Sequence, residues 1–156
     1  MTALQYENIK QQYLALIENV TWEAALVSLI ALLKQELPKV SWVGFYRNID
    51  EHLWIGPYQG KLACIHLKPG QGVCGQALKR RETLIVPDVH AFAGHVACDA
   101  LSRSEIVVPV FRQNPDRTPV GVLDLDSYER GAFAATDQKL LEELLKAIET
   151  WPDRVS

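Results

Sequence analysis

The chain has 156 residues, 48% of them hydrophobic and 22% charged, which is enough to bury roughly two thirds of the unfolded surface in one core and excludes a disordered, collagenous or coiled-coil chain. A net charge of −3 gives no long-range attraction to nucleic acid or anionic lipid. The first residues, Met1 to Lys10, lack a basic segment followed by an apolar run, and no apolar stretch approaches the ~20 residues needed to cross a bilayer, so the expectation is a cytoplasmic protein in a compartment that keeps thiols reduced.

In chain order, the first stretch suggests two helices. The second is the clearer, with Thr21 as N-cap, Glu23 in the first turn and Leu26, Leu29, Ile30, Leu33 and Leu37 at helical spacing until Pro38 stops it. Val40 to Arg47, VSWVGFYR, reads as a strand whose period of two puts Val40, Trp42, Gly44 and Tyr46 on one face. Leu53 to Tyr58 and Lys61 to Leu67 read as two further strands turning at Gln59 and Gly60. Pro69, Gly70 and Gly72 break the pattern before a short helix from about Val73 to Arg80, where Lys79, Arg80 and Arg81 form a solvated basic helix end. Leu84 to Val86 is a brief strand. The polar, small-residue run from Asp88 to Arg103 has no sustained period, and loops of that length are usually functional.

Ser104 to Phe111 and Pro119 to Asp126 read as an antiparallel pair around the turn residues Asn114, Pro115 and Asp116. A last amphipathic helix carries Leu140, Leu141, Leu144, Leu145 and Ile148, with Thr136 and Asp137 as start signals. The whole is an α+β domain over residues 1–156. Its mainly antiparallel six-stranded sheet has the terminal helices on one face, and the segment Pro69 to Arg103 covers a pocket on the other.

Three cysteines, Cys64, Cys74 and Cys98, fall in the middle of the chain. Each singly reads as a small buried hydrophobe, but Cys98 lies in GHVACDALSRSE, where a hydrophobe has little to pack against and a thiol is accessible. With His66, His90 and His95 nearby a metal site is a second reading. No C-x-x-C or H-x-x-x-H spacing supports it.

On the strand Pro119 to Asp126 the residues Val120, Val122, Asp124 and Asp126 share one face. The two acids read as solvated groups leading into a turn, or as part of a cluster if the register brings Glu105 to the same end. Three converging carboxylates would raise at least one pKa and suit an ammonium or a protonated oxygen. Trp42 and Tyr46 read as core packing, or as an aromatic wall for a methyl or thioether group.

The segments SWVGFY (Ser41 to Tyr46), ACIHLKPGQGVCGQAL (Ala63 to Leu78), VPDVHAFAGHVACDALSRSEIVVPVF (Val86 to Phe111) and GVLDLDS (Gly121 to Ser127) together resemble the free methionine-R-sulfoxide reductases, which are single GAF-type domains. The resemblance runs from about residue 15 to residue 150. It implies a thiol-dependent oxidoreductase that reduces free L-methionine-R-sulfoxide as a defence against oxidative stress, with Cys98 as nucleophile, Cys64 as the thiol that closes a disulfide with it, and Cys74 as an auxiliary resolving thiol or relay. It further implies substrate contacts from Trp42, Tyr46, Glu105, Asp124 and Asp126, no metal or other cofactor, regeneration by thioredoxin or a similar dithiol, and a homodimer; within the carboxylate cluster Glu105 and Asp126 are the expected acids for the sulfoxide oxygen. The hairpin RQNPDRT is longer than the family pattern. Two other readings share this scaffold: a GAF-type sensor of a small ligand, and a thiol redox switch without turnover.

Overall fold

The computed structural model describes residues 1–155. Its first two helices start where short polar side chains can satisfy free backbone N–H groups. Thr2 accepts from the Gln5 N–H and Gln5 reaches back to the Thr2 N–H ahead of α1 (Ala3–Leu16), and Thr21 accepts from the Ala24 N–H ahead of α2 (Trp22–Glu36). Helix α2 ends just before Leu37 and Pro38. The later elements are β1 (Trp42–Ile49), β2 (His52–Gln59), β3 (His66–Leu67), α3 (Gly72–Arg80), β4 (Leu84–Val86), a 3-10 turn (Val89–Ala91), β5 (Ser104–Val110), β6 (Gly121–Ser127) and α4 (Ala135–Ile148).

The six strands form one sheet in the order β3-β2-β1-β6-β5-β4, and every neighbouring pair is antiparallel. Period two then sorts the side chains. Val43 and Phe45 of β1, Ile106, Val108 and Val110 of β5, and Leu123 and Leu125 of β6 join the apolar stripes of α1, α2 and α4 in the larger core. Trp42, Tyr46, Val107 and Val122 face the other way, beneath α3 and the segment that follows it.

Three expectations are corrected. Val40 and Val120 precede their strands and pack into the helical core, not beside Trp42 or Asp124, because the alternation begins only at Trp42 and Gly121. Of the strand expected over Lys61 to Leu67 only His66 and Leu67 form ladder pairs with β2, with one further bond from the Ile55 N–H to Ile65 O at 3.0 Å. Lys61 to Cys64 leave the sheet, and two of their carbonyls serve side-chain donors: the Trp42 indole N–H donates to Lys61 O at 3.0 Å and the Tyr46 hydroxyl to Cys64 O at 2.9 Å. Helix α4 starts earlier than Thr136, with Ala134 as N-cap and the Asp137 carboxylate accepting the Ala134 N–H at 2.8 Å. Lys39 fixes that same carboxylate from the loop after α2, at 2.8 Å.

The basic helix end also has a defined use. Arg81 takes the left-handed conformation that closes α3 and donates to Asp116 O and to the Thr118 hydroxyl, tying α3 to the β5–β6 hairpin.

Candidate active site

The floor of the site follows from strand register. Asp124 and Asp126 alternate onto one face of β6, and Glu105 of β5 stands directly opposite Asp126. Trp42 flanks Asp126 on the other side and Gly44 flanks Asp124, so three carboxylates and the aromatic pair occupy one end of three adjacent strands. Glu105 and Asp124 are each only 6% exposed.

Water is largely excluded there, and that fixes the electrostatics. Burial pushes the Glu105 carboxyl well above its ordinary value, and the charges of Asp124 and Asp126 push it further. Asp126 rises for the same two reasons, burial first and then the Asp124 charge. Burial raises Asp124 to about 6, held back by hydrogen bonds from Glu105 and Cys74. Like charges this close in a poor solvent do not all ionise together, so the cluster retains protons that isolated carboxyls would have lost. Asp124 Oδ1, a buried atom of the cluster, has no protein partner, while the Ser102 hydroxyl stands beside the Asp126 carboxylate and holds its rise back. An unpartnered buried oxygen calls for a polar ligand.

Trp42 and Tyr46 form a wall beside the cluster, their rings 6.1 Å apart, and Tyr58 stacks behind the indole at 5.5 Å. Gly44 lies between them because a Cβ there would collide with the Trp42 ring and with Tyr58 Cβ. Burial, and next the Asp124 charge, raises the Tyr46 phenol and keeps it a donor to Cys64 O.

The roof carries the thiols. Cys64 and Cys98 are joined in a disulfide with Cα atoms 5.5 Å apart. Cys74 is a free thiol inside α3, buried, with its sulfur 4.0 Å from Glu105 Oε1. Burial, and then the charges of Asp124 and Glu105, pushes that thiol up, so it stays protonated and is a poor nucleophile where it stands. Helix α3 begins at Gly72, whose φ of +68° favours glycine and whose Cα faces Val96 of the covering loop.

Trp42, Tyr46, Cys74, Cys98, Glu105, Asp124 and Asp126 line one cavity with about 50 Å³ open to the centre of a water molecule, and Cys64 closes it from outside the lining through its bond to Cys98. All eight residues singled out in the sequence thus converge. Ser102, His95 and Val96 line the cavity too, and the sequence carries no periodic signal for them, since they come from the irregular loop. Burial lowers the His95 pKa, aided by the nearby His90. His66 is elsewhere, stacked on Trp54 and bonded to His52. Among the described residues the donors that converge as a cation site would need are Cys74, Glu105 and Asp124, within 4.8 Å of one another. No histidine joins them, and all three belong to the acid cluster.

Known proteins share this framework. The GAF domain family model matches residues 19–150. The free methionine-R-sulfoxide reductase of Escherichia coli (strain K12) is 41% identical over 92% of this chain and 86% of its own. GAF domain-containing protein A of Dictyostelium discoideum is 41% identical over 93% and 90%. The X-ray structure of the Neisseria meningitidis free methionine-R-sulfoxide reductase in complex with its substrate superposes with a TM-score of 0.85, at 42% identity over 94% of this chain and 87% of that one. On this match and these identities the chain belongs to the GAF domain family and, within it, to the free methionine-R-sulfoxide reductases.

Proposed function

We propose that the protein reduces free L-methionine-R-sulfoxide to L-methionine. The observation that carries this is the Cys64–Cys98 pair lying over a buried acid cluster that has an unpartnered carboxylate oxygen. In the reduced protein the Cys98 thiolate attacks the sulfoxide sulfur. That sulfur is a weak electrophile until its oxygen takes a proton or a strong hydrogen bond, which Glu105 and Asp126, with their raised pKa values, are suited to give. Oxygen passes to Cys98 as a sulfenic acid and methionine departs. Cys64 attacks the sulfenic sulfur, water leaves, and the disulfide forms.

Trp42 and Tyr46 pack against the thioether methyl group, and Asp124 holds the ammonium. The demand for an ammonium, together with the covering segment, selects a free amino acid over a methionine within a chain. Selection of the R epimer follows the relatives' name alone. Cys64 is the resolving thiol in this scheme, and Cys74 keeps its proton beside Glu105 instead of relaying electrons.

Thioredoxin or a similar dithiol restores the thiols by exchange, which suits a reducing compartment such as the cytoplasm. No helix among the described residues is long and apolar enough to cross a membrane. The homodimer that the resemblance implies would use a surface other than the apolar stripe of α4, which is buried within the chain.

The test is turnover of free L-methionine-R-sulfoxide with a thioredoxin recycling system, alongside the S epimer, a peptide-bound sulfoxide and Cys98→Ser. Turnover of the free R epimer alone, lost in the variant, is expected. No turnover with any substrate, from folded and reduced protein, leaves a sensor or a redox switch. A switch has no need of the acid cluster: in that case Glu105→Gln and Asp124→Asn would leave disulfide formation intact with no turnover to lose.

A further inference from the structure

The disulfide has unusual surroundings for a surface feature. Leu62, two residues before Cys64, is 88% exposed; Ile65, one residue after it, is 68% exposed; Leu101, three residues after Cys98, is 60% exposed. A chain advances at most about 3.6 Å per residue, so each of these side chains springs from a Cα within about 11 Å of a disulfide Cα. Single exposed leucines need no explanation. Three, on two chain segments joined at their middle by one reducible bond, form a patch of the kind that marks a contact surface.

The patch also has a charge. From His52 to Arg81 the sequence holds no Asp or Glu, and Lys61 and Lys68, on either side of Cys64, are both exposed. The nearest acid on the facing segment, Asp99, stays ionised, accepts from the Tyr128 hydroxyl and the Leu101 N–H and is drawn to Lys61, so it offsets one of the two lysines. An apolar centre whose Cys64 segment carries Lys61 and Lys68 and no acid fits a partner whose contact face is apolar and rimmed by acids.

We propose that this patch seats the dithiol protein that reduces the Cys64–Cys98 bond, a partner with an acidic rim around its own reactive thiol. The inference rests on the reading of that disulfide as a catalytic intermediate. A small thiol needs no seat to reach a sulfur, whereas a protein must dock to bring its thiolate in line with the bond. Cys98 is the more exposed residue of the pair and Cys64 the half-buried one, and on this proposal the partner thiolate attacks the Cys98 sulfur. A mixed disulfide forms there, and the electron pair of the broken bond leaves with Cys64, which takes up a proton. The partner's second thiol then attacks its own half of the mixed disulfide, Cys98 is released as thiolate, and the partner leaves oxidised.

The experiment follows reduction of the oxidised full-length protein in the absence of any sulfoxide, with thioredoxin and, separately, with dithiothreitol. Wild type is compared with the double variant Ile65→Ser, Leu101→Ser; neither residue lines the cavity. The expected result is a fall of roughly tenfold or more in the second-order rate with thioredoxin, an unchanged rate with dithiothreitol, and a wild-type thioredoxin rate that declines as salt is raised. Equal thioredoxin rates for the two proteins would overturn the proposal, as would parallel losses with both reductants, which would mean only that the disulfide itself had been disturbed. Failure of the sulfoxide assay would instead strike the catalytic reading.

Discussion

Glu105 and Asp126 face each other across the β5–β6 ladder, and neither can ionise without opposing the other's charge or that of Asp124. The pair is thereby kept as an acid at pH values where a solvated carboxyl would be a base. Activity is accordingly expected to fall on the alkaline side as the cluster gives up its protons. Glu105→Gln, which can still donate a hydrogen bond but cannot transfer a proton, is expected to lower kcat by about 10²–10⁴-fold and to move the alkaline limb. A pH–rate profile of both proteins checks this; an unchanged limb would remove Glu105 from the acid's role.

The same burial has a cost in stability. Asp124 ionises near pH 4 in the unfolded chain but at about 6 in the fold. Its raised pKa stabilises the fold fully below about pH 4, and that contribution is lost as pH rises to about 6, a difference on the order of 3 kcal/mol. Asp124→Asn is therefore expected to melt higher than wild type at about pH 7.5, with the gap closing toward pH 4, as thermal unfolding across that range will reveal.

The two remaining thiols are expected to separate cleanly. Cys64→Ser should release about one equivalent of methionine per protein and stop at the Cys98 sulfenic acid, trapped with a dimedone-type reagent. Cys74→Ser should keep turning over with thioredoxin. The opposite pattern would make Cys74 the resolving thiol and require α3 to unfold locally to release it.

Gly44→Ala inserts a methyl group where the Trp42 ring and Tyr58 meet. Overpacking of this kind costs about 1–3 kcal/mol. Because the displaced ring is the substrate wall, KM is expected to rise more than kcat falls, measured by steady-state kinetics at a temperature where the variant is folded.

The Cys64–Cys98 bond fixes Cys98 in the lining of the cavity, where a substrate sulfur would have to approach it. Calorimetry is expected to find no binding to the oxidised protein and measurable binding to reduced Cys98→Ser, in which the roof is free to part.

Sequence patterning reached some of these features and missed others for identifiable reasons. The β5–β6 hairpin was legible because alternating apolar residues flank a cluster of turn formers. Whether Glu105 would meet Asp126 was not, since register depends on how many residues the turn absorbs. Lys61 to Cys64 looked like a strand because its composition suits one, and what holds it off the sheet is a pair of side-chain donors, Trp42 and Tyr46, about 20 residues earlier. The partnering of Cys64 with Cys98 came from family resemblance, not spacing. Ser102 was invisible: a serine in an irregular loop announces nothing until its buried hydroxyl is found in the cavity beside Asp126.

The sheet's alternation also decides where the chain can change length. One residue inserted within β1, β5 or β6 would rotate Trp42, Glu105 or Asp124 into the greasy layer beneath the helices and bring Val43, Ile106 or Leu125 to the reaction chamber, exchanging scaffold for chemistry in a single step. The hairpin from Phe111 to Pro119 lies at the far end of both strands from Glu105 and Asp126. Insertions and deletions should be confined there, where added residues extend a surface turn and leave the catalytic row in phase.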